Sequence, residues 1–435
     1  MAQPGSEDFE TSRNLIINTP LSEGGAKFLD KSKLYAIDGS YNLSDQIDFA
    51  EIIVGANYRV YSLESEGTLF ALDDNGDEFS IAEYGGFVQA SKKLMNDALK
   101  LTTSLRFDKN DNFDGRTTPR ISALYNLFDG QNIRVSYQTA FRMPTTQNQY
   151  IDLPTPSARL IGGLPLFRER YEFDTNPVYD TETYFTYVGA FEQAIAEGQD
   201  VATAAATAAP VLEGAEVGAD DTSFELEQNQ TIEVGYRGLI QEQFLIDAYY
   251  YYSVFTNFSG AFNLFQSSTT AGDPNGILAP TVYQTTVTLD DEVKSQGMAI
   301  GLSYAFNSGY KLSGNYAWNE LTNRDELPDG FQSGFNTPEH KVNISVANRK
   351  LTDRIGFNVS WRWQDAFLWE STFATGEVDA FSTVDAQISY SLPNLKSRIK
   401  LGGSNLFNNR YEQALGNPTV GSVYYASITF DEFFR

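Results

Sequence analysis

The sequence predicts an all-β protein, a transmembrane antiparallel β-barrel, and three observations carry the prediction. Apolar and polar residues alternate with a period of two through most of the chain, the connections between alternating segments are short and long in turn, and Trp and Tyr gather near segment ends.

The alternation comes first. From Asn132 to Arg142, Ile133, Val135, Tyr137, Thr139 and Phe141 fall on one face and Arg134, Ser136, Gln138 and Arg142 on the other. Leu312, Gly314, Tyr316 and Trp318 alternate with Lys311, Ser313, Asn315 and Asn319, and Ile355, Phe357, Val359, Trp361 and Trp363 with Asn358, Ser360, Arg362 and Gln364. Val342, Ile344 and Val346, then Val384, Ala386, Ile388 and Tyr390, repeat the pattern. Side chains of a strand point alternately to its two faces, so each segment has one greasy and one polar side.

A soluble sandwich also alternates, and the connections separate the two cases. Short turns are expected at Ser44-Asp45-Gln46, Asn96-Asp97, Asp129-Gly130-Gln131, Gln241-Glu242-Gln243, Asn307-Ser308-Gly309, Lys350 to Asp353 and Pro393 to Lys396. Between them fall longer connections at about 62–78, 108–117, 143–222, 258–280, 321–337, 367–379 and 409–420. Short turns at one end and long loops at the other mark outer-membrane barrels. The reading gives about fifteen strands, with room for a sixteenth near Asn14 to Asn18. Residues 1–30 form an N-terminal loop or partial strand and 31–435 the barrel. Tyr249 to Tyr252, Trp361 and Trp363, Tyr424-Tyr425 and Phe433-Phe434 are expected near strand ends or just inside them, where amphipathic rings suit the membrane interface.

The connection 143–222 is long for a compact soluble domain and ordinary for an extracellular loop. Its Ala-rich stretch from Phe191 to Ala209 predicts one surface helix stopped by Pro210. At the closing end, an open sheet edge in hydrocarbon leaves backbone groups unpaired at several kcal/mol each, about 2–7 by transfer data. The expectation is therefore either a smaller barrel in which the 423–434 strand pairs with the earliest strand present, within about residues 10–43, or a fragment open at that seam, with closure favoured because neighbouring hairpins can change tilt at modest cost.

Composition excludes several function classes. A formal net charge of −26, from 31 Lys+Arg against 57 Asp+Glu, speaks against nucleic acid as a partner, because phosphate backbones need clustered cations. With no Cys there are no disulfides, thiolate metal sites or thiol nucleophiles, and one His excludes a multi-His zinc site. No apolar run is long enough for a transmembrane helix. The segment MAQPGSEDFETSRN has no basic region followed by an apolar one, so the chain reads as a processed product, an engineered chain or a fragment.

Four segments, in order, resemble the barrel of TonB-dependent receptors. AFRMPTTQNQYIDL (Ala140 to Leu153) is similar to the family's F-R-x-P strand end and loop. ELEQNQTIEVGYRG (Glu225 to Gly238) is similar to a strand written E-x-x-x-x-E-x-G-Y-R-G, with Glu233, Gly235 and Tyr236 in place. NTPEHKVNIS (Asn336 to Ser345) resembles an N-x-P-x-H-K-x-N strand opening, and NLFNNRYEQALGNPTVG (Asn405 to Gly421) the penultimate hairpin, with SITFDEFFR closing. The EYGGFVQASKKL and LIGGLPLFR segments resemble receptors of the Bacteroidetes type. The resemblance implies an outer-membrane barrel of roughly 22 strands preceded by a plug and a TonB-contacting segment. This chain is expected to lack the plug, that segment and the first strands.

What the resemblance implies for function is uptake of a bulky, scarce ligand such as an iron chelate, an oligosaccharide or a peptide. The alternatives are a plugless passive pore or structural surface barrel and, remotely, a barrel enzyme. Tyr150, Tyr171, Phe173, Tyr179 and Tyr184 in the longest loop are the expected ligand contacts, and Arg134, Asp247, Arg362, Asp385 and Lys400 are expected to face the lumen. Outer-membrane lipid and the barrel-assembly machinery are the expected partners, with a surface lipoprotein as a further one and the TonB system if a plug lies upstream. No cofactor is expected. His340, beside Glu339, is the one residue on which barrel hydrolase chemistry could rest, and no P-loop, dinucleotide fingerprint or nucleophile elbow accompanies it. The runs Asp73 to Glu78 and Asn110 to Gly115 have alternating oxygen ligands, but Ile121 stands where a calcium loop needs a bidentate Glu. Turn formation is their simpler reading.

Overall fold

A computed structural model describes residues 3–269, 274–328, 330–371 and 374–430. About 53% of the chain is strand and 15% helix, and the dominant element is one antiparallel sheet of fifteen strands. They are β1 (Lys33–Asn42), β2 (Glu51–Ser62), β3 (Ser80–Leu94), β4 (Leu99–Asn110), β5 (Phe113–Phe128), β6 (Gln131–Arg142), β7 (Glu227–Ile240), β8 (Phe244–Thr256), β9 (Val293–Ala305), β10 (Tyr310–Leu321), β11 (His340–Asn348), β12 (Ile355–Gln364), β13 (Phe381–Leu392), β14 (Ser397–Ser404) and β15 (Val423–Phe430). Each pairs with its neighbours in the sequence of that series, the up-and-down meander that strict alternation of short and long connections requires.

The tight turns lie at one end, and several need backbone that favours Gly or Asn. Met95, Asn96 and Asp97 between β3 and β4, Gln241 and Glu242 between β7 and β8, and Gly309 between β9 and β10 all have positive φ. At the other end the connection expected at 108–117 shrinks to Asp111-Asn112, because β4 and β5 continue upward across a register shift at Asp108/Asn110. The acidic residues there serve the turn: Asn112 N–H donates to Asn110 Oδ1 at 2.8 Å, and Ala82 N–H to Asp111 Oδ2 at 2.7 Å.

The two faces differ as the alternation requires. One apolar row runs Val135, Val234, Tyr250, Met298 and Trp318 across five neighbouring strands. The opposite face is concave, since side chains two strands apart meet on it. Arg134 on β6 reaches Asp247 on β8 at 3.1 Å, the Tyr251 hydroxyl donates to Asn319 at 3.1 Å across β9, and the Tyr425 hydroxyl to Gln387 at 2.9 Å across β14. The strand skipped in the last two cases carries Gly297 or Gly402 at that level. A Cβ there would lie 2.6 Å from the Tyr251 ring or 2.5 Å from the Tyr425 hydroxyl, so glycine makes room for the crossing.

Four expectations are corrected. The stretch near Asn14 to Asn18 is not a strand but the end of a helix, Glu7–Asn18, capped by Ser6, whose hydroxyl accepts from Phe9 N–H at 3.2 Å. Glu7, Asp8 and Glu10 in its first turn suit the positive end of the helix dipole. The Ala-rich stretch forms two helices, Thr181–Ala196 and Val201–Ala208, because Gly198 takes φ +92° and Asp180 and Asp200 each cap a separate start. Tyr249 to Tyr252 lie in the middle of β8, with only Tyr250 and Tyr252 on the apolar face; Phe433-Phe434 fall outside the described residues. Finally, among the described residues β15 pairs only with β14 and β1 only with β2, so the sheet does not close. In a meander of fifteen strands the first and last run in the same direction, and direct closure would need a parallel seam rather than the antiparallel ladder used throughout.

Candidate ligand-recognition site

Above the sheet, at the end of the long connections, the loops fold into a cap. A five-stranded sheet orders Asp152–Pro154, Arg159–Ile161, Thr281–Leu289, Phe258–Gln266 and Val178–Tyr179, drawing strands from the 143–226 and 257–292 connections. The helices 181–196 and 201–208 pack on it. Phe167, Val178, Tyr187, Leu264 and Ala208 are at most 1% exposed, burial of the kind found in a water-soluble core. Loop 63–79 joins through Leu63, Leu69, Phe70 and Phe79.

The five loop aromatics singled out in the sequence stand inside this cap. Tyr150 is buried, stacks on Phe79 at 4.3 Å and donates to Asn112 at 3.1 Å. Phe173 packs edge-on to Tyr283 at 5.2 Å, and Tyr184 lies flat on Phe265 at 4.1 Å. Tyr179 extends the small sheet beside Phe265, and burial pushes its phenol up. Tyr171 donates to Asp152 at 2.7 Å; burial first, then the carboxylate beside it, pushes its phenol far above the ordinary range. Asp152 also holds Arg159 at 2.7 Å and faces Arg170 at 3.8 Å, so one nearly buried carboxylate gathers three partners from two other segments. These ring contacts give the cap its shape.

Beneath the cap lies a cavity of about 660 Å³ on the concave face of β2 to β6. Asn57, Arg59, Glu83, Arg106 and Asp108 form its wall, and Phe141, Met143, Pro144 and Gln149 from the F-R-x-P segment its roof. Arg106 is anchored, donating to Asp108 at 2.7 Å and Asn57 at 2.7 Å, and Glu83 accepts from Asn110 at 2.9 Å. Arg59 makes no ion pair among the described residues, so it is the free cation of the wall. Arg59 and Arg106 were not singled out in the sequence, yet the phase of β4, with Leu105 and Phe107 exposed on the other face, already sends Arg106 inward. A second cavity of about 330 Å³ opens between loops and is rich in neutral hydrogen-bonding groups, including Asn148, Ser259, Gln284, Thr286 and Gln332.

Of the five polar-face residues, four form pairs. Arg134 contacts Glu233 at 3.3 Å and Asp247 at 3.1 Å, which gives the E-x-G-Y-R-G segment a physical meaning: Glu233 holds the guanidinium, and a Cβ at Gly235 would lie 2.6 Å from its Nε. Arg362 pairs with Asp385 at 2.8 Å, and Asp385 also accepts from Asn405 N–H at 2.8 Å, fixing the N-L-F-N turn. Lys400 stands apart, near the tight turns. In the N-x-P-x-H-K-x-N segment, Asn336 clamps the 367–378 hairpin through both Glu370 N–H and Glu370 C=O. His340 is on the apolar face, 2.9 Å from the Tyr316 hydroxyl, where its partners are a phenol and Glu339. Asp73 accepts from Asn75 and Asp77 N–H at 2.8 Å each, which lowers its pKa and closes a turn. Among the described residues no group of three or more His, Asp or Glu could hold a metal ion.

A curved antiparallel sheet with one apolar face, a polar concave face and an ordered loop cap defines a receptor-type outer-membrane barrel. The chain belongs to the TonB-dependent receptor family: the model described as TonB dependent receptor-like, beta-barrel matches residues 6–406. The members of this family are outer-membrane receptors and transporters of Gram-negative bacteria, not enzymes. Among solved structures the chain is similar to a mutant of the ferric enterobactin receptor PfeA of Pseudomonas aeruginosa, with TM-score 0.60, 13% identity, and 91% of this chain and 53% of that one covered. It is similar to the siderophore receptor PirA of Acinetobacter baumannii, at 0.60, 12%, 93% and 56%, and to the FrpB iron transporter of Neisseria meningitidis, at 0.57, 12%, 92% and 55%. The chain thus spans about half the length of these structures. No curated protein sequence matches it.

Proposed function

We propose that this chain is the barrel part of an outer-membrane receptor that captures a bulky, scarce ligand at the cap and passes it inward in a TonB-dependent system. The cavity of about 660 Å³ between cap and concave wall carries the reading, because it joins the loop surface to the inner face. An iron chelate is the first ligand to test, since the similar structures are named as siderophore receptors and an iron transporter; an oligosaccharide or a peptide is the next. The loop aromatics act in recognition by holding the cap in shape, and Arg59, Arg106 and Gln149 make the contacts. The protein resides in the outer membrane, works without a cofactor or catalysis, and meets the TonB system through a plug.

The test is equilibrium binding of ferric catecholate and hydroxamate chelates, oligosaccharides and peptides to detergent-purified protein. One class should bind, and Arg59→Ala should weaken it by roughly tenfold, the worth of a charge-assisted hydrogen bond. Binding unaffected by Arg59→Ala and by Gln149→Ala would move the site out of this cavity, and no binding by any class would overturn the reading.

A further inference from the structure

The outward, apolar face of the sheet carries a groove of about 440 Å³ across β8 to β11. Whatever occupies the concave side, this face is turned away from it. Gly314 on β10 makes the groove. In register it stands between Leu302 on β9 and Ile344 on β11, with Leu312 and Tyr316 before and after it on the same face of its own strand. Leu302, Leu312 and Ile344 are exposed, so they wall the gap without filling it, and no residue lining the groove is charged.

Other outward glycines are treated differently. Gly115, Gly238 and Gly403 lie on the same face, and the side chains of Phe107, Tyr236 and Tyr424 occupy the space a Cβ would take. At Gly314 the nearest atoms to such a Cβ are the Asn343 carbonyl oxygen at 3.3 Å and Ile344 Cγ1 at 3.7 Å, and no ring covers it. Gly86 is also uncovered, but it pairs with Ala56 on one side and lacks a wall there.

The depth of the groove says what fits it. From Gly309 in the tight turn to Gly314 is about 17 Å of strand. A tilt of roughly 40° reduces this to about 13 Å, half of an apolar band roughly 25 Å tall. The turn-side boundary is marked by Phe244, Tyr304 and Phe306, whose rings meet at 6.2 and 4.6 Å while the Tyr304 hydroxyl donates to Gln243 at 3.3 Å. The groove thus runs the depth of one leaflet. Both edges of β9 and β10 are already paired, so no further strand can add there, and uncharged walls offer a polar surface nothing to bind. Hydrocarbon, by contrast, gains close contact on three sides instead of one. We infer that this groove is a binding site for one acyl chain of a phospholipid of the turn-side leaflet. The inference rests on the membrane placement proposed above and not on which ligand the cap captures.

Native mass spectrometry of the full chain, released from detergent micelles after incubation with palmitoyl-oleoyl phosphatidylethanolamine or phosphatidylglycerol, reads the site directly. The parent chain should hold one lipid. Gly314→Phe and Gly314→Leu, which fill the gap, should each lower its retention roughly tenfold, and Val135→Phe, on the same face outside the groove, should leave it unchanged. The two headgroups should be retained alike, because the groove holds the chain. Retention by both filling variants equal to the parent's, no retained lipid in the parent, or a several-fold preference for one headgroup would overturn the inference. A dimer of the parent that both filling variants abolish would assign the groove to a second copy and also overturn it. Failure of the parent to insert into liposomes would instead refute the membrane placement, so the two failures are distinct. Circular dichroism in detergent confirms that each variant tested is folded.

Discussion

The sheet and the cap are made by one chain for two solvents. In the cap, large side chains are enclosed on all sides: Tyr187, Phe167 and Leu264 are at most 1% exposed. In the sheet, the apolar residues stand outward, with Val135 at 44%, Val359 at 41% and Ile388 at 50%, and every residue of β15 is exposed. The same residue types are thus buried against each other in the cap and exposed on one face of the sheet, where the proposed membrane placement sets them against lipid. Apolar burial drives the cap, whereas satisfaction of backbone hydrogen bonds in hydrocarbon drives the sheet.

The two regions should therefore break differently. Phe167→Ala removes a fully enclosed ring and should cost the cap about 3–5 kcal/mol, seen as early proteolysis of loop 143–226 while the strand signal in circular dichroism persists. Loss of the strands together with the cap would show that the two are one cooperative unit. On the apolar face, Val359→Arg should cost about 2–4 kcal/mol of folding into a bilayer, and Ser360→Arg, one residue away on the concave face, much less. Equal effects would mean the faces are assigned in the wrong phase.

Asp152→Asn removes the charge that gathers Arg159, Arg170 and Tyr171, and should destabilise the cap by about 1–3 kcal/mol, read as a lowered thermal midpoint of loop proteolysis. The smallest effect is alkaline. The folded cap holds the phenolic protons of Tyr171 and Tyr179 more tightly than the unfolded chain does. Their contribution is complete below the unfolded pKa of about 10 and is lost as pH rises above it. Tyrosinate absorbance should lag behind that of exposed tyrosines and appear as the cap loosens, and Tyr171→Phe should reduce the lag. Simultaneous ionisation of all tyrosines would contradict the burial.

The part of this contrast written locally was legible in the sequence. Period-two alternation gave the faces, and the Gly, Asn and Asp turns gave the order of the strands, because both depend on neighbours a few residues apart. The cap was not, since its sheet joins Arg159–Ile161 in parallel to Thr281–Leu289 across more than a hundred residues. The role of the loop aromatics followed from that: Tyr171, Phe173 and Tyr184 look like free contacts in sequence and meet Tyr283 and Phe265 only in the fold. Closure was argued from edge energetics with strand direction left out, and among the described residues the first and last strands do not pair. Arg59 and Arg106 were within reach of the strand phase.

The chain's four tryptophans test the two-solvent account most directly. Trp318, Trp361 and Trp363 lie on the apolar face, and Trp369 lies in the Phe367–Glu370 strand above the sheet. In single-tryptophan variants reconstituted with lipids brominated on the acyl chains, fluorescence of Trp361 should be strongly quenched and that of Trp369 little affected, with Trp318 and Trp363 between them. Quenching of Trp369 as strong as that of Trp361, or an unquenched Trp361, would contradict the assignment of the apolar face to lipid and the cap to water.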